Sequence, residues 1–188
     1  MKSITRTILD IELKKQFKKL KPGIVLDVGA KDSPYKDYIP HTKYLRLDIS
    51  KKTKPDIVGD IQNFKTRKRF DIVIMTEVLE HLSNPKKAID NIYKILHPGG
   101  VCILSTCFFY PYHPDPKDYY RFTKDSLYYL FKKFKKIEIY PYGNRFHVIW
   151  LTLSVGFLKI LNIFNPIIAK IRVKKTNLPL GFVVYAVK

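Results

Sequence analysis

Cysteine is scarce in this chain of 188 residues, with only Cys102 and Cys107. Two thiols are too few for a disulfide framework or a four-ligand zinc site. No metal is expected, and a reducing compartment, the cytoplasm, is the simplest setting. Neither G-x-G-x-x-G nor G-x-x-x-x-G-K-[ST] occurs anywhere, which weakens nicotinamide and nucleoside triphosphate readings. Eight Gly and twelve Pro beside 46% apolar residues exclude collagen-like, low-complexity and wholly disordered chains. A membrane span needs about twenty predominantly apolar residues, and the most apolar stretch is interrupted by Lys159, Asn162, Asn165 and Pro166 before that count is reached. Lys14, Lys15, Lys18 and Lys19 break up the first twenty residues, so no secretion signal is expected. One domain spanning 1–188 with a sizeable core is the expectation.

Acidic residues are the other deficit: 16 Asp+Glu face 35 Lys+Arg, a net charge of +19. Such a balance draws a protein toward nucleic acid, anionic lipid or phosphorylated substrates. However, 28 of the cations are Lys and seven Arg, scattered along the chain, whereas dedicated phosphate-recognition surfaces favour Arg forks. A nucleic-acid partner stays open without being favoured.

Apolar periodicity then organises the chain. Ile4, Ile8 and Ile11 with Leu9, Leu13 and Phe17 recur at helical spacing until Pro22-Gly23, predicting an amphipathic N-terminal helix within 1–21. Strands are predicted at 24–28, 44–48, 56–58, 70–75, 101–106, 137–140 and 181–187, with a short helix after the first strand, a helix over 85–96 ended by Pro98-Gly99-Gly100, and a helix capped by Thr123 running to Phe134. Strand and helix alternating in this way imply a mostly parallel sheet covered on both faces. Residues 146–158 carry no formal charge and apolar character resumes through Ile171. This insertion, 144–178, is expected to be helical and broken near Asn165-Pro166. It can cover the sheet, pair with a second subunit, or lie in a membrane interface with Lys159, Lys170, Arg172, Lys174 and Lys175 toward head groups.

Ligands of open parallel sheets bind outside the carboxyl ends of the strands, so the residues just after each strand matter most. Gly29 and Ala30 follow the first strand and let backbone approach a ligand; Asp27, beside them, suits an ammonium group. Asp48 ends the second strand, nineteen residues after Gly29, where a carboxylate can take two ribose hydroxyls. Asp60, after the third, can accept from an adenine amine, with the Ile61 amide beside it.

Val25-Leu26-Asp27-Val28-Gly29-Ala30, Asp48, Gly59-Asp60-Ile61, Phe70-Asp71-Ile72-Val73, Glu77-Val78-Leu79-Glu80-His81-Leu82 and Leu96-His97-Pro98-Gly99-Gly100 together resemble the successive motifs of class I S-adenosylmethionine-dependent methyltransferases, over roughly 22–140. The resemblance implies a three-layer Rossmann-like α/β fold, a seven-stranded sheet with its last strand antiparallel. It implies S-adenosylmethionine held by Asp27, Gly29, Ala30, Lys31, Asp48, Asp60 and Ile61, with Thr76 and Glu77 bordering the methyl group. One departure is Lys31, which stands where the family usually has a second Gly; Ser33 is another.

The loop Phe108 to Thr123 carries His113, Asp118, Tyr119 and Arg121 in an H-x-x-P-x-D-Y-x-R-F-T pattern similar to methyltransferases that accompany bacterial surface-polysaccharide genes. That similarity implies a small or glycan-like acceptor, lipid-linked at the inner membrane face in one version, with Asp118, Tyr119 and Arg121 contacting it. Asp118 and Arg121 can equally pair to pin the loop. A hydroxyl acceptor benefits from a base, and His81 and His113 are the candidates. An RNA methyltransferase and a non-catalytic partner protein of the same fold are the alternatives.

Overall fold

A computed structural model describes residues 2–156, 159–171, 173 and 176–188. Among these, α1 (Ile4–Phe17) precedes β1 (Gly23–Val28), β2 (His41–Asp48), β3 (Ile57–Val58) and β4 (Phe70–Thr76). Helix α2 (Pro85–Ile95) leads into β5 (Leu96–Cys107), α3 (Lys124–Phe131) into β6 (Lys136–Tyr142), and α4 (Arg145–Gly156) and α5 (Asn165–Ile168) precede β7 (Gly181–Val187). The strands form one sheet in the order β3-β2-β1-β4-β5-β7-β6. Strands β1 to β5 pair in parallel, while β7 lies antiparallel between β5 and β6.

Strand β4 shows why the apolar runs were continuous. Ile72 and Ile74 pack into one core and Phe70, Val73 and Met75 into the other, so alternating residues are buried on both faces. Helices α2 and α3 cover the second face. Crossover helices are nearly missing from the first: the β1–β2 and β2–β3 connections hold only the 3₁₀ turns Lys36–Tyr38 and Lys51–Thr53, in place of the short helix expected after β1. The N-terminal helix instead supplies Ile4, Ile8, Leu9, Leu13 and Phe17 to that face, joined by Val148 and Leu151 of α4 and Ala169. Ser3 caps α1 by accepting from the Arg6 amide at 3.2 Å, which satisfies one of the end donors.

Several boundaries differ from those expected. Helix α1 ends at Phe17 and α3 at Phe131. His97-Pro98-Gly99-Gly100 forms the irregular start of β5 rather than a separate turn, with Gly99 at φ +78°. The Thr123 cap is present, accepting from Ser126. In the segment between β6 and β7, α4 is followed by the 3₁₀ helix Lys159–Phe164. The 3₁₀ helix ends at Phe164 and α5 opens at Asn165-Pro166, so the helical run changes at that pair. Residues 157, 158, 172, 174 and 175, including the Arg172, Lys174 and Lys175 expected at head groups, lie outside the described residues. No described helix is long and apolar enough to cross a membrane.

Candidate active site

The carboxyl edge of β1, β2 and β4 carries the site. Gly29 turns the chain at φ +66°, its amide donates to Leu47 O at 2.8 Å, and a Cβ there would come within 2.4 Å of Val78. Lys31 and Ser33 continue the bend at φ +43° and +52°. These values cost a non-glycine residue about 1–2 kcal/mol each. The loop therefore keeps a glycine-like path without the glycines. The Lys31 side chain runs outward to Asp115, Nζ to Oδ2 2.6 Å with both groups exposed, and its ammonium meets the 108–123 loop rather than a carboxylate beside Gly29.

Asp48 is buried and accepts from the Lys31 amide at 3.2 Å and the Ser50 amide at 2.8 Å. Asp27 is buried beside it and accepts from the Tyr44 hydroxyl at 2.7 Å. Burial lifts the Asp27 carboxyl to about 6, against the pull of the Tyr44 bond. Asp60 follows Gly59, whose amide donates to Asp48 O at 2.9 Å. Its carboxylate accepts from the Gln62 amide at 2.8 Å, an Asx-type turn that occupies part of its capacity. The Ile61 side chain is core, while Ala30 is buried at the loop.

Thr76 ends β4, and Glu77 beyond it sits at φ +53°. The Ser105 hydroxyl donates to Glu77 Oε1 at 2.8 Å and the Tyr142 hydroxyl lies 3.4 Å away. Glu80, fully buried, accepts from the Thr106 hydroxyl at 2.9 Å. Burial and then mutual repulsion hold the Glu77 carboxyl well above the ordinary range, and burial does the same for Glu80. The sequence pattern assigns no site role to Glu80, Ser105 or Tyr142; Tyr142 lies 65 residues from Glu77 and is brought there by the β5-β7-β6 order.

Asp27, Glu77 and Glu80 hold protons more tightly folded than unfolded, so their stabilising contribution is complete below the ordinary carboxylate range and declines as pH rises. The decline passes through about 6 for Asp27 and about 8 for Glu77, with Glu80 shifted in the same direction. Asp118 and Glu138, shifted downward, act in the opposite sense only at lower pH. Urea unfolding between about pH 5 and 8.5 should therefore show falling stability. Glu80→Gln should remove part of the slope and be the more stable protein at the alkaline end.

The 108–123 loop closes over this edge. Tyr119 N donates to Glu80 O at 2.9 Å. Asp118, its side chain 1% exposed, takes a bidentate fork from Arg121, and that bond pulls its carboxyl well down. Two of the three residues expected to touch the acceptor, Asp118 and Arg121, are thus engaged with each other, while the third, Tyr119, is half-exposed. His113 Nδ1 faces two acceptors, Pro111 O at 3.1 Å and Asp118 Oδ2 at 3.2 Å, and His81 Nδ1 faces Lys117 O. Carbonyls and carboxylates only accept, so Nδ1 carries the hydrogen in both neutral rings and Nε2 is left as the basic atom. The rings stand edge to face, 4.9 Å between centroids. No metal was expected, yet Glu80, His81 and His113, and likewise Glu77, Glu80 and Cys107, bring one donor atom each within 4.8 Å of one another. These donor sets are of the mixed kind that divalent metals accept.

A bent loop next to two buried carboxylates at the switch of a 3-2-1-4-5-7-6 sheet defines the class: this is the fold of the class I S-adenosylmethionine-dependent methyltransferases. Residues 3–141 match the family model described as "Methyltransferase domain", and the chain belongs to that family. Its fold is similar to that of an S-adenosylmethionine-dependent methyltransferase from Archaeoglobus fulgidus, with a TM-score of 0.64, 15% identity, and coverage of 95% of that chain and 99% of this one. The N-methyltransferase NodS from Bradyrhizobium japonicum, in complex with S-adenosylhomocysteine, matches at TM-score 0.58 and 14% identity over 95% of this chain and 86% of its own. A ubiquinone biosynthesis O-methyltransferase from Psychrobacter cryohalolentis is 43% identical over 51 residues, which is 27% of this chain and 18% of that protein.

The residues present fit the methyl donor of this class. Gly29 adopts the backbone conformation that close approach requires, and the Asp48 carboxylate keeps lone pairs beyond its two amide bonds. The outward path of Lys31 keeps its side chain from blocking the bend.

Proposed function

We propose that the chain transfers a methyl group from S-adenosylmethionine to a hydroxyl of a small ring-bearing acceptor, a sugar or a phenol, carried on a lipid. The observation that supports this best is the pair of imidazoles, His81 and His113, set edge to face beside Glu80 under a tyrosine-rich loop. A hydroxyl needs such a base. The partial similarity to O-methyltransferases of ubiquinone biosynthesis points the same way.

When bound, the donor supplies a methyl already activated by its sulfonium. Asp27, Gly29, Ala30 and the Lys31 backbone hold its methionine end, Asp48 its ribose, and Asp60 with Ile61 its base. Thr76 and Glu77 border the methyl. His113 Nε2 takes the acceptor proton, its ring oriented by Asp118 in the manner of a base steadied by a carboxylate. Asp118 and Arg121 are positioning residues, and Tyr119 and the exposed Tyr112 offer ring faces to the acceptor.

The test is a methyl-transfer assay against catechols, free sugars and polyprenyl-linked sugars, with His113→Gln beside the unmodified protein. The expected result is turnover of at least one hydroxyl acceptor and a loss of about 10²- to 10⁴-fold in kcat in the variant with cofactor affinity unchanged. Turnover of amine or RNA acceptors alone would overturn the reading.

A further inference from the structure

We propose that the segment between β6 and β7 docks this protein on an anionic lipid bilayer, with the carboxyl edge of the sheet turned toward the membrane. Lipid docking goes beyond the methyl-transfer reading and stands without it.

The segment is rooted at the site. Tyr142, the last residue of β6, pairs with Gly181, the first of β7, and Gly181 pairs with Cys107 at the end of β5. The chain therefore leaves and re-enters the sheet at the carboxyl edge, where the Tyr142 hydroxyl meets Glu77.

Its inner side mixes apolar and polar groups, while its outer side is apolar. Asn144, His147, Ser154 and Asn165 are buried, and Trp150 Nε1 donates to Asn165 at 2.9 Å while Asn165 donates to Lys2 O at 2.9 Å. These bonds fasten α4, α5 and the residues just before α1 together. Outward stand Phe146, Ile149 and Leu153 at helical spacing on α4, then Ile160 at 76% exposed, Ile167 at 65%, Ile163 at 63%, and Phe164. Single exposed apolar side chains are ordinary, but a cluster rimmed by polar groups marks an interaction surface. A helix apolar on both faces, as α4 is, needs an apolar environment on the second face as well.

Charge selects the occupant. From residue 139 to 188 the sequence contains no Asp or Glu but seven cations, of which Arg145 and Lys170 are exposed on the described part of the segment. The whole chain carries +19. A second copy would bring the same sign to the contact. An anionic bilayer instead offers hydrocarbon for the isoleucines and head groups for the cations.

The experiment is co-sedimentation of the full chain with vesicles of phosphatidylcholine alone and of phosphatidylcholine with about three-tenths phosphatidylglycerol, at low and high salt. A second preparation replaces Ile149, Ile160, Ile163 and Ile167 with Ser. Because these side chains are exposed, the variant should keep its thermal transition and its cofactor binding, measured separately. Binding to anionic vesicles, weakened by salt and reduced at least about tenfold in the variant, is the expected result. Two outcomes overturn the proposal: a native protein that stays in the supernatant with both vesicle types, or a dimer by sedimentation velocity that the four serines convert to monomer. Neither touches the methyl-transfer reading, which the acceptor assay decides.

Discussion

Replacing Asp48 with alanine is expected to weaken S-adenosylmethionine and S-adenosylhomocysteine binding by at least about 100-fold. Two charge-assisted hydrogen bonds to ribose hydroxyls contribute about 1.5–3 kcal/mol each, and every 1.4 kcal/mol is roughly tenfold in affinity. The same carboxylate accepts from the Lys31 and Ser50 amides, so its removal also loosens the Gly29–Ser33 bend to which the proposed site assigns the methionine end. Asp48→Asn separates the two contributions. Its remaining carbonyl oxygen can retain one amide bond while the charge is lost, so affinity should fall between the native and alanine proteins. Calorimetric titration of all three provides the measurement. An alanine variant that binds within about threefold of the native protein would place the ribose elsewhere.

Arg121→Ala carries the second large expectation. Asp118 is almost wholly shielded, and its charge is held by the Arg121 fork, whose guanidinium also donates to the Tyr110 and Tyr120 carbonyls. Removing one partner of such a pair leaves a shielded charge without compensation, at 3–5 kcal/mol for a fully buried case. The guanidinium here keeps one side toward water, so about 3 kcal/mol is the expectation, equivalent to a fall of roughly 6–12 °C in Tm for a chain of this size. Arg121→Lys keeps the charge but not the fork and should recover less than half of that loss. Methyl transfer should fall in both variants, because the Asp118 carboxylate that steadies His113 moves with the loop. If Arg121→Ala melts within a degree or two of the native protein, the pair is not what orders the loop.

The strands were legible in the sequence for a physical reason: β1, β4, β5 and β7 are buried on both faces and therefore read as unbroken apolar runs. The carboxylates Asp27 and Asp48 were legible because they stand at the carboxyl ends of the first two strands. The first face of the sheet was not. Its cover comes from α1 and α4, elements at opposite ends of the chain, and no local pattern reveals that two crossover helices have shrunk to single 3₁₀ turns. Glu80 was missed for a related reason. In Glu77-Val78-Leu79-Glu80-His81 a glutamate reads as a solvent-facing charge, and only the distant Thr106 and the 108–123 loop bury it. The Asp118–Arg121 pairing lay three residues apart and was weighed beside a role in acceptor contact. Lys31 stands out in the sequence only as a departure from a glycine; its backbone angle and the reach to Asp115 are three-dimensional facts.

Those left-handed angles at Lys31 and Ser33 also bear on how the methyl donor arrives. Glycine at these positions would wander among many backbone states and would have to be frozen when the donor enters. A lysine and a serine have few states to choose from, and the strain is met during folding rather than at each encounter. The cleft is consequently pre-shaped, so little of the donor's affinity is lost to arranging the loop.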